Sequence, residues 1–268
     1  MSGAEPRGAA SELDALIART GALVAEALGT ERAAEPIPWS MASPLDDPAS
    51  VAGVLEHTLL DPRATRAEVL ALCDEVRRHG FVGACVNPTR AALAAEALEG
   101  SPARVVSVVG FPFGASSTAA KARETAQAIA DGAEEIDVVV DRGALREGDW
   151  RRVGADLRAV VDAAAGAPVK VILETAEATA EATVAGCLLA RAAGAAFVKT
   201  STGFGAGGAT AEAVRLMRRC VGAELGVKAS GGIRDLARLE EMVAAGATRV
   251  GASASVRIWE EARAAARG

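Results

Sequence analysis

The sequence predicts an α/β protein of the (β/α)8 TIM-barrel class with an N-terminal helical extension. Three observations carry this. From residue 53 onward, eight short apolar runs alternate with eight Ala-rich stretches of helical periodicity, the count of one barrel. Gly80, Gly132, Gly194 and Gly246 each stand directly after a helical stretch, where C-terminal caps stand. No G-x-G-x-x-G follows the first strand, which disfavours the runner-up, a doubly wound open sheet that binds dinucleotides.

The first 48 residues read differently from the rest. Leu13, Leu16, Ile17, Leu23, Val24, Ala27 and Leu28 fall at helical spacing and predict an amphipathic helix over 11–29. Pro36, Pro38, Pro44 and Pro48 then predict an extended linker. The expected organisation is a helix and proline-rich linker over 1–48 and a barrel over 49–268. The helix is expected to pack on the outside of the barrel, with a subunit contact as the alternative.

The strands are expected at 53–58, 82–87, 104–109, 134–140, 169–174, 196–201, 225–230 and 248–252. The helices are expected at 65–79, 88–99, 118–131, 147–165, 177–193, 209–221, 235–246 and 256–267. Three of the helix-ending glycines read Gly-Ala (132–133, 194–195 and 246–247), a weak internal repeat.

Composition excludes several classes of function. The net charge of −6 offers no general basic surface, and with 3% aromatics and no tyrosine there is no stacking platform for nucleic acid. Cys73, Cys85, Cys187 and Cys220 show no C-x-x-C pairing, and His57 and His79 are the only histidines, so no metal site is expected. No apolar run reaches the roughly 18 residues of a membrane span, and the N-terminus lacks a signal pattern. A soluble, cytoplasmic protein is expected.

Only four lysines occur, Lys121, Lys170, Lys199 and Lys228, among 29 basic residues. Lys170, Lys199 and Lys228 each follow a valine in a strand. Arginine holds its proton under ordinary conditions, whereas a desolvated or charge-crowded lysine can release one. Lysine at matching strand positions in an arginine-rich chain therefore points to an amine nucleophile and Schiff-base chemistry on a carbonyl.

Strand alternation gathers these groups. If Ile136, Val138 and Val140 face the helices, Asp137 faces inward. The same rule puts Lys170 and Glu174, Lys199 and Ser201, and Lys228 and Ser230 inside. The first strand turns in either Glu56 and Thr58 or His57, and Cys85 faces inward from the second. His57 reads as a packed histidine, Cys85 as a small core residue and Lys121 as solvated. Trp39, Trp150 and Trp259 read as packing or interface residues. A buried plug of ion pairs also explains such charges, but it explains three lysines poorly. A free lysine, with a pKa of about 10.4, is neutral in only about one copy in 2,000 at pH 7. A neighbouring ammonium lowers that pKa, and Lys199 and Lys228 are expected at one level on adjacent strands. Asp137 is placed to move protons.

Three glycine-rich turns follow the last three expected strands: 203–208, Gly231-Gly232-Ile233-Arg234 and Gly251-Ala252-Ser253. Loops after strands seven and eight commonly hold phosphate in these barrels, because glycine lets backbone N–H groups approach the oxygens. A phosphorylated substrate is the expectation.

These residues resemble the deoxyribose-phosphate aldolases over about 53–256. The resemblance rests on Leu55-Glu56-His57-Thr58-Leu59-Leu60, Cys85-Val86-Asn87-Pro88, Val109-Gly110-Phe111-Pro112-Phe113-Gly114 and Glu135-Ile136-Asp137-Val138-Val139, followed by Lys170-Val171-Ile172-Leu173-Glu174-Thr175. It is densest in Val198-Lys199-Thr200-Ser201-Thr202-Gly203-Phe204 and Val227-Lys228-Ala229-Ser230-Gly231-Gly232-Ile233.

The resemblance implies a metal-independent class I aldolase that reversibly cleaves 2-deoxy-D-ribose 5-phosphate to acetaldehyde and D-glyceraldehyde 3-phosphate. It implies that Lys199 carries the Schiff base, so that no separate cofactor is needed, that Lys228 lowers the Lys199 pKa, and that Asp137 relays protons. Thr58, Lys170 and Ser201 would line the sugar site; Gly203, Gly231, Gly232, Gly251 and Ser253 would hold the phosphate; Ser230 would also bind substrate. Expected partners are a sugar phosphate and aldehydes, with no nucleic acid or membrane, in a homo-oligomer (dimer or tetramer).

The chain departs from the family pattern in places. Glu56 replaces Asp, Asp141 stands where Asn is common, Ala254 follows Ser253 where a second small polar residue is usual, and no tyrosine is present. The alternatives are a Schiff-base aldolase of another sugar phosphate and a barrel that binds sugar phosphate without turnover.

Overall fold

The computed structural model describes residues 7–30, 45 and 47–267. Trp39 and the prolines at 36, 38 and 44 lie outside the described residues. The chain runs through α1 (Arg7–Leu28), α2 (Pro48–Val54), β1 (Leu55–Leu59), α3 (Arg66–His79), β2 (Gly83–Val86), a 3-10 turn at Pro88–Arg90, and α4 (Ala91–Ala97). Next come β3 (Arg104–Val109), α5 (Thr118–Ala130), β4 (Glu135–Val139), α6 (Arg142–Glu147), α7 (Trp150–Ala163), β5 (Val169–Ile172), α8 (Ala180–Ala193), and β6 (Phe197–Lys199). The last elements are α9 (Ala211–Val221), β7 (Gly226–Ser230), α10 (Leu236–Ala244), β8 (Arg249–Ala252), and α11 (Ser255–Ala265).

The eight strands pair in parallel in sequence order and close into a barrel, as the alternation predicts. Local chemistry sets most boundaries. Thr65 and Glu68 form a capping box at the start of α3, and Gly80 ends that helix in the left-handed region at φ 69°. Gly194 does the same for α8 at φ 85°. Gly132 and Gly246 follow one residue beyond their C-caps, also at positive φ.

Three expectations change. Pro48 does not extend the linker: it opens α2, where its missing N–H is harmless, and the Asp47 side chain caps the helix. The helix expected over 147–165 is α7, which Asp149 caps, and an unexpected short helix, α6, precedes it and ends at Gly148 with φ 77°. Lys121 is not solvated. It is fully buried and its ammonium lies 2.8 Å from Asp156 Oδ2, linking α5 to α7.

The main core lies between strands and helices. Ile136, Val138, Val140, Val169, Val171, Leu173, Val198 and Val227 all belong to it, so these residues face outward from the barrel. α1 adds Leu16, Ile17, Val24, Ala25 and Leu28 to that core and packs across α7 and α8. A Cβ on Gly154 would stand 2.7 Å from Leu28 Cδ2, so glycine permits this close approach. Trp150 and Trp259 are half-buried against the same core.

The barrel interior has two halves. On the β1–β3 side, Leu60, Cys85, Val106 and Val108 form a small apolar cluster. The rest is charged, and that half forms the site.

Candidate active site

Three buried ammonium groups converge on one carboxylate. Lys199 and Lys228 are register partners on β6 and β7. Each places Nζ 2.7 Å from the same oxygen, Asp137 Oδ2. Lys170 donates to the other oxygen, Oδ1, at 2.9 Å. Outward valines and isoleucine drive this arrangement: with Ile136 and Val138, Val169 and Val171, Val198, and Val227 facing the helices, strand alternation leaves these polar side chains nowhere but the interior.

A second row lies deeper. Glu56 turns inward from β1 and pairs with Lys228, with Arg249 at 2.7 Å and with Lys170 at 3.4 Å. Glu135 accepts from Lys170 at 2.5 Å and from Arg249 at 3.2 Å. His57 turns outward, as alternation requires once Glu56 is inside. Its Nε2 lies 2.7 Å from Glu75 Oε2, and the ring packs edge-on against Phe81.

The electrostatics follow from this pairing. Burial alone favours neutral forms, but here the partners outweigh it. Asp137 is desolvated, yet Lys170, Lys199 and Lys228 hold its carboxyl well below the ordinary carboxylate value. Glu56 is likewise desolvated and is held low by Lys170 and Lys228. Burial pulls the Lys228 pKa down, and the charges of Asp137 and Glu56 more than reverse that, so Lys228 stays an ammonium. The Cys85 thiol is pushed up by burial to about 11 and stays protonated. Glu56, Cys85 and Asp137 bring ligand atoms within 4.8 Å of one another. They do not suit a divalent cation, because lysines already supply the positive charge and the thiol is neutral.

Above the charged rows a cavity of about 350 Å³ opens at the C-terminal ends of the strands. Its lining includes Thr58, Lys199, Thr202, Ser230, Arg234 and Ser253, and Gly203, Gly231, Gly232 and Gly251. Gly203, Gly231 and Gly232 all take positive φ, at 86°, 84° and 77°, which glycine adopts without strain. Ala254, which follows the cavity-lining Ser253, stands at the N-cap of α11 with no side-chain hydrogen bond.

Of the sequence-derived candidates, Asp137, Lys170, Ser201 and Lys228 do not line the cavity. Lys170 is fully enclosed beneath it, and the Ser201 hydroxyl donates to Thr200 Oγ1 at 3.1 Å. Asp141 does not enter the mouth; it caps α6 and binds Arg152 at 2.8 Å. Glu174 does turn inward, at φ 53°, and its buried carboxylate accepts from the Thr202 N–H and hydroxyl. It thereby holds the turn that carries Gly203. Thr202 and Arg234 also line the cavity; in the sequence they stand inside glycine-rich motifs, and nothing in their spacing marks them out.

A sequence model described as DeoC/LacD family aldolase matches residues 55–261. The chain belongs to the DeoC/LacD aldolase family. A deoxyribose-phosphate aldolase of Geobacillus sp. (strain WCH70) is 51% identical over 79% of this chain and 95% of its own. The deoxyribose-phosphate aldolase 1 of Cutibacterium acnes is 54% identical over 77% of this chain and 95% of its own. Among solved structures, a putative deoxyribose-phosphate aldolase from Coccidioides immitis superposes with a TM-score of 0.81 at 39% identity, covering 94% of this chain and 97% of that one. The deoxyribose phosphate aldolase from Aeropyrum pernix, described as a unique tetramer, gives 0.75 at 30% identity over 90% and 95%. The charged interior thus sits in an aldolase scaffold at the strand ends where such barrels carry their chemistry. Among the described residues of this family member, no helix is long and apolar enough to cross a membrane.

Proposed function

We propose that the protein is a class I aldolase that reversibly cleaves 2-deoxy-D-ribose 5-phosphate to acetaldehyde and D-glyceraldehyde 3-phosphate. One observation carries the reading: Lys199 and Lys228 share Asp137 Oδ2 at the floor of a glycine-walled cavity.

Lys199 is the nucleophile, because of the three clustered lysines it alone lines the cavity. Its neutral amine attacks the aldehyde carbon of the open-chain sugar, and loss of water leaves a protonated imine. Lys228, fixed as an ammonium, disfavours a second positive charge beside it and so favours the neutral amine of Lys199. Asp137 takes the proton released on attack and returns it to the departing hydroxyl. The electrons of the C2–C3 bond then flow into the imine as the C3 hydroxyl loses its proton. D-Glyceraldehyde 3-phosphate departs, and the remaining enamine is protonated at C2 and hydrolysed to acetaldehyde. Thr58 and Ser230 face the sugar hydroxyls. The turns at Gly203, Gly231-Gly232 and Gly251-Ser253, with Arg234 at the rim, receive the phosphate. Lys170 and Ser201 act from beneath, the first by holding Asp137 and the second through the polar floor. The carbonyl-activating group is the Lys199 side chain itself, and no other cofactor enters. We place the enzyme in the cytoplasm as a homo-oligomer, dimer or tetramer.

Intact-mass spectrometry after incubation with acetaldehyde and sodium borohydride tests this. Wild type gains about 28 Da, one ethyl group, and Lys199→Met gains nothing. An unmodified wild type sinks the aldolase reading, and an adduct that persists in the variant moves the amine to Lys170 or Lys228.

A further inference from the structure

Among the described residues, one carbonyl at the end of the last strand meets two side-chain donors. The Ala252 oxygen, on the final residue of β8, accepts from the Ser255 hydroxyl at 2.8 Å. Nδ1 of His57 approaches the same oxygen at 3.4 Å, and because a carbonyl only accepts, Nδ1 is the donor. Ser255 is fully buried at the start of α11, and His57 is buried on the outer side of β1. Glu75, 2.7 Å from Nε2, holds the ring in place. Neither Ser255 nor His57 lines the cavity.

Both donors draw the carbonyl toward the β1 flank of β8. His57 and Ala252 are register partners, and the β1–β8 ladder ends with them. The helix that carries Ser255, α11, packs on β1, with α2 and α3 to one side and α10 to the other. The peptide bond from Ala252 to Ser253 is trans, so its N–H points away from its C=O. The Ser253 N–H is therefore turned to the opposite flank, where β7 lies. That flank carries the Gly231-Gly232 turn, which lines the same cavity as Ser253. Alternation places the side chains to match. Ala252 belongs to the outer core, and a Cβ on Gly251 would stand 3.0 Å from Lys228 Cε, so Gly251 and Ser253 face the interior.

Resting on the reading of these turns as the phosphate end, we infer that Ser255 and His57 are positioning residues for the phosphoryl group. They fix the Ala252–Ser253 peptide so that the Ser253 N–H is aimed at the phosphate oxygens before substrate arrives. Past the end of the ladder no strand partner steadies that peptide, and the two side chains do so instead. Without them the peptide is free to tilt, and ordering it on binding subtracts from affinity. The loss falls on the phosphorylated sugar, because free deoxyribose presents no anion at that end.

The test is the ratio of kcat/KM for deoxyribose 5-phosphate to kcat/KM for free deoxyribose. Ser255→Ala is expected to lower this ratio by about fivefold, the effect of one neutral hydrogen bond, through a higher KM for the phosphorylated sugar with kcat little changed. Ser255→Thr keeps the hydroxyl and the wild-type ratio. His57→Phe keeps a ring against Phe81 and lowers the ratio in the same direction. His57→Asn, whose amide nitrogen stands where Nδ1 stood, recovers it. If Ser255→Ala does not fold, the contrast between His57→Phe and His57→Asn decides. An unchanged ratio in a folded Ser255→Ala or His57→Phe, including equal losses with both sugars, overturns this inference alone. A wild type with no preference for the phosphorylated sugar overturns the phosphate placement and this inference with it. A wild type that cleaves neither sugar overturns the aldolase reading itself.

Discussion

Gly208 lies so close to Gly231 that a Cβ on Gly208 would overlap the Gly231 carbonyl oxygen and stand 3.1 Å from the Gly232 nitrogen. The turn after β6 therefore braces the turn after β7, backbone against backbone, at the proposed phosphate end. Gly208→Ala pushes the Gly231-Gly232 turn out of place. The expected result is a loss in kcat/KM for deoxyribose 5-phosphate of at least about tenfold, the worth of one charge-assisted hydrogen bond. Free deoxyribose suffers less. An unchanged ratio between the two substrates removes these turns from phosphate binding.

Asp137 is the hinge of the electrostatics, since both of its oxygens are occupied by ammonium groups. Asp137→Asn keeps the shape and removes the charge and the proton acceptor. Turnover is expected to fall by about 10²–10⁴. Steady-state cleavage assays, with circular dichroism to verify folding, check this; activity within threefold or so of wild type assigns the proton relay elsewhere.

The barrel and its inward charges were legible because alternation is a strict geometric rule. Once Val169, Val171, Val198 and Val227 face the helices, the positions of Lys170, Lys199 and Lys228 follow. Alternation does not fix depth. It puts Lys170 inside but does not reveal that it lies beneath the cavity, because depth depends on the stagger of the closed sheet. Capping residues were also obscure: Asp141 looks like a charge at the barrel mouth until its bond to the Ala144 N–H is seen. Arg249 was lost among 25 arginines, and only its two carboxylate partners distinguish it.

Lys121 and Asp156 show the same limit, since a lysine near a helix start reads as solvated. In the fold its stem packs under Gly110, where a Cβ would lie 3.1 Å from Lys121 Cε. Asp156→Ala leaves that ammonium buried and alone and is expected to cost about 3–5 kcal/mol in urea unfolding. Lys121→Met combined with Asp156→Leu removes both charges and recovers most of that loss. A single variant as stable as wild type contradicts the buried pair.

The pH dependence of stability follows from the signs of the shifts. Glu56 and Asp137 are lowered from ordinary values of 4.5 and 3.8. Their contribution is complete above those values and is lost as pH falls toward the depressed folded values. Lys170 and Lys228 are raised from 10.5, against burial, by Asp137 and Glu56. Their contribution is complete below 10.5 and is lost as pH rises through the higher folded values. The cluster thus predicts a flat plateau from about pH 5 to 10, with falls on either side. His79, lowered by desolvation from 6.5, adds a small decline as pH drops through that value. Urea midpoints measured across this range check the shape. Glu56→Gln lowers the plateau and shallows the acid fall, because a group that stabilises only when ionised has been removed. An acid fall of unchanged depth in that variant shows that Glu56 is not among the groups whose protonation unfolds the barrel.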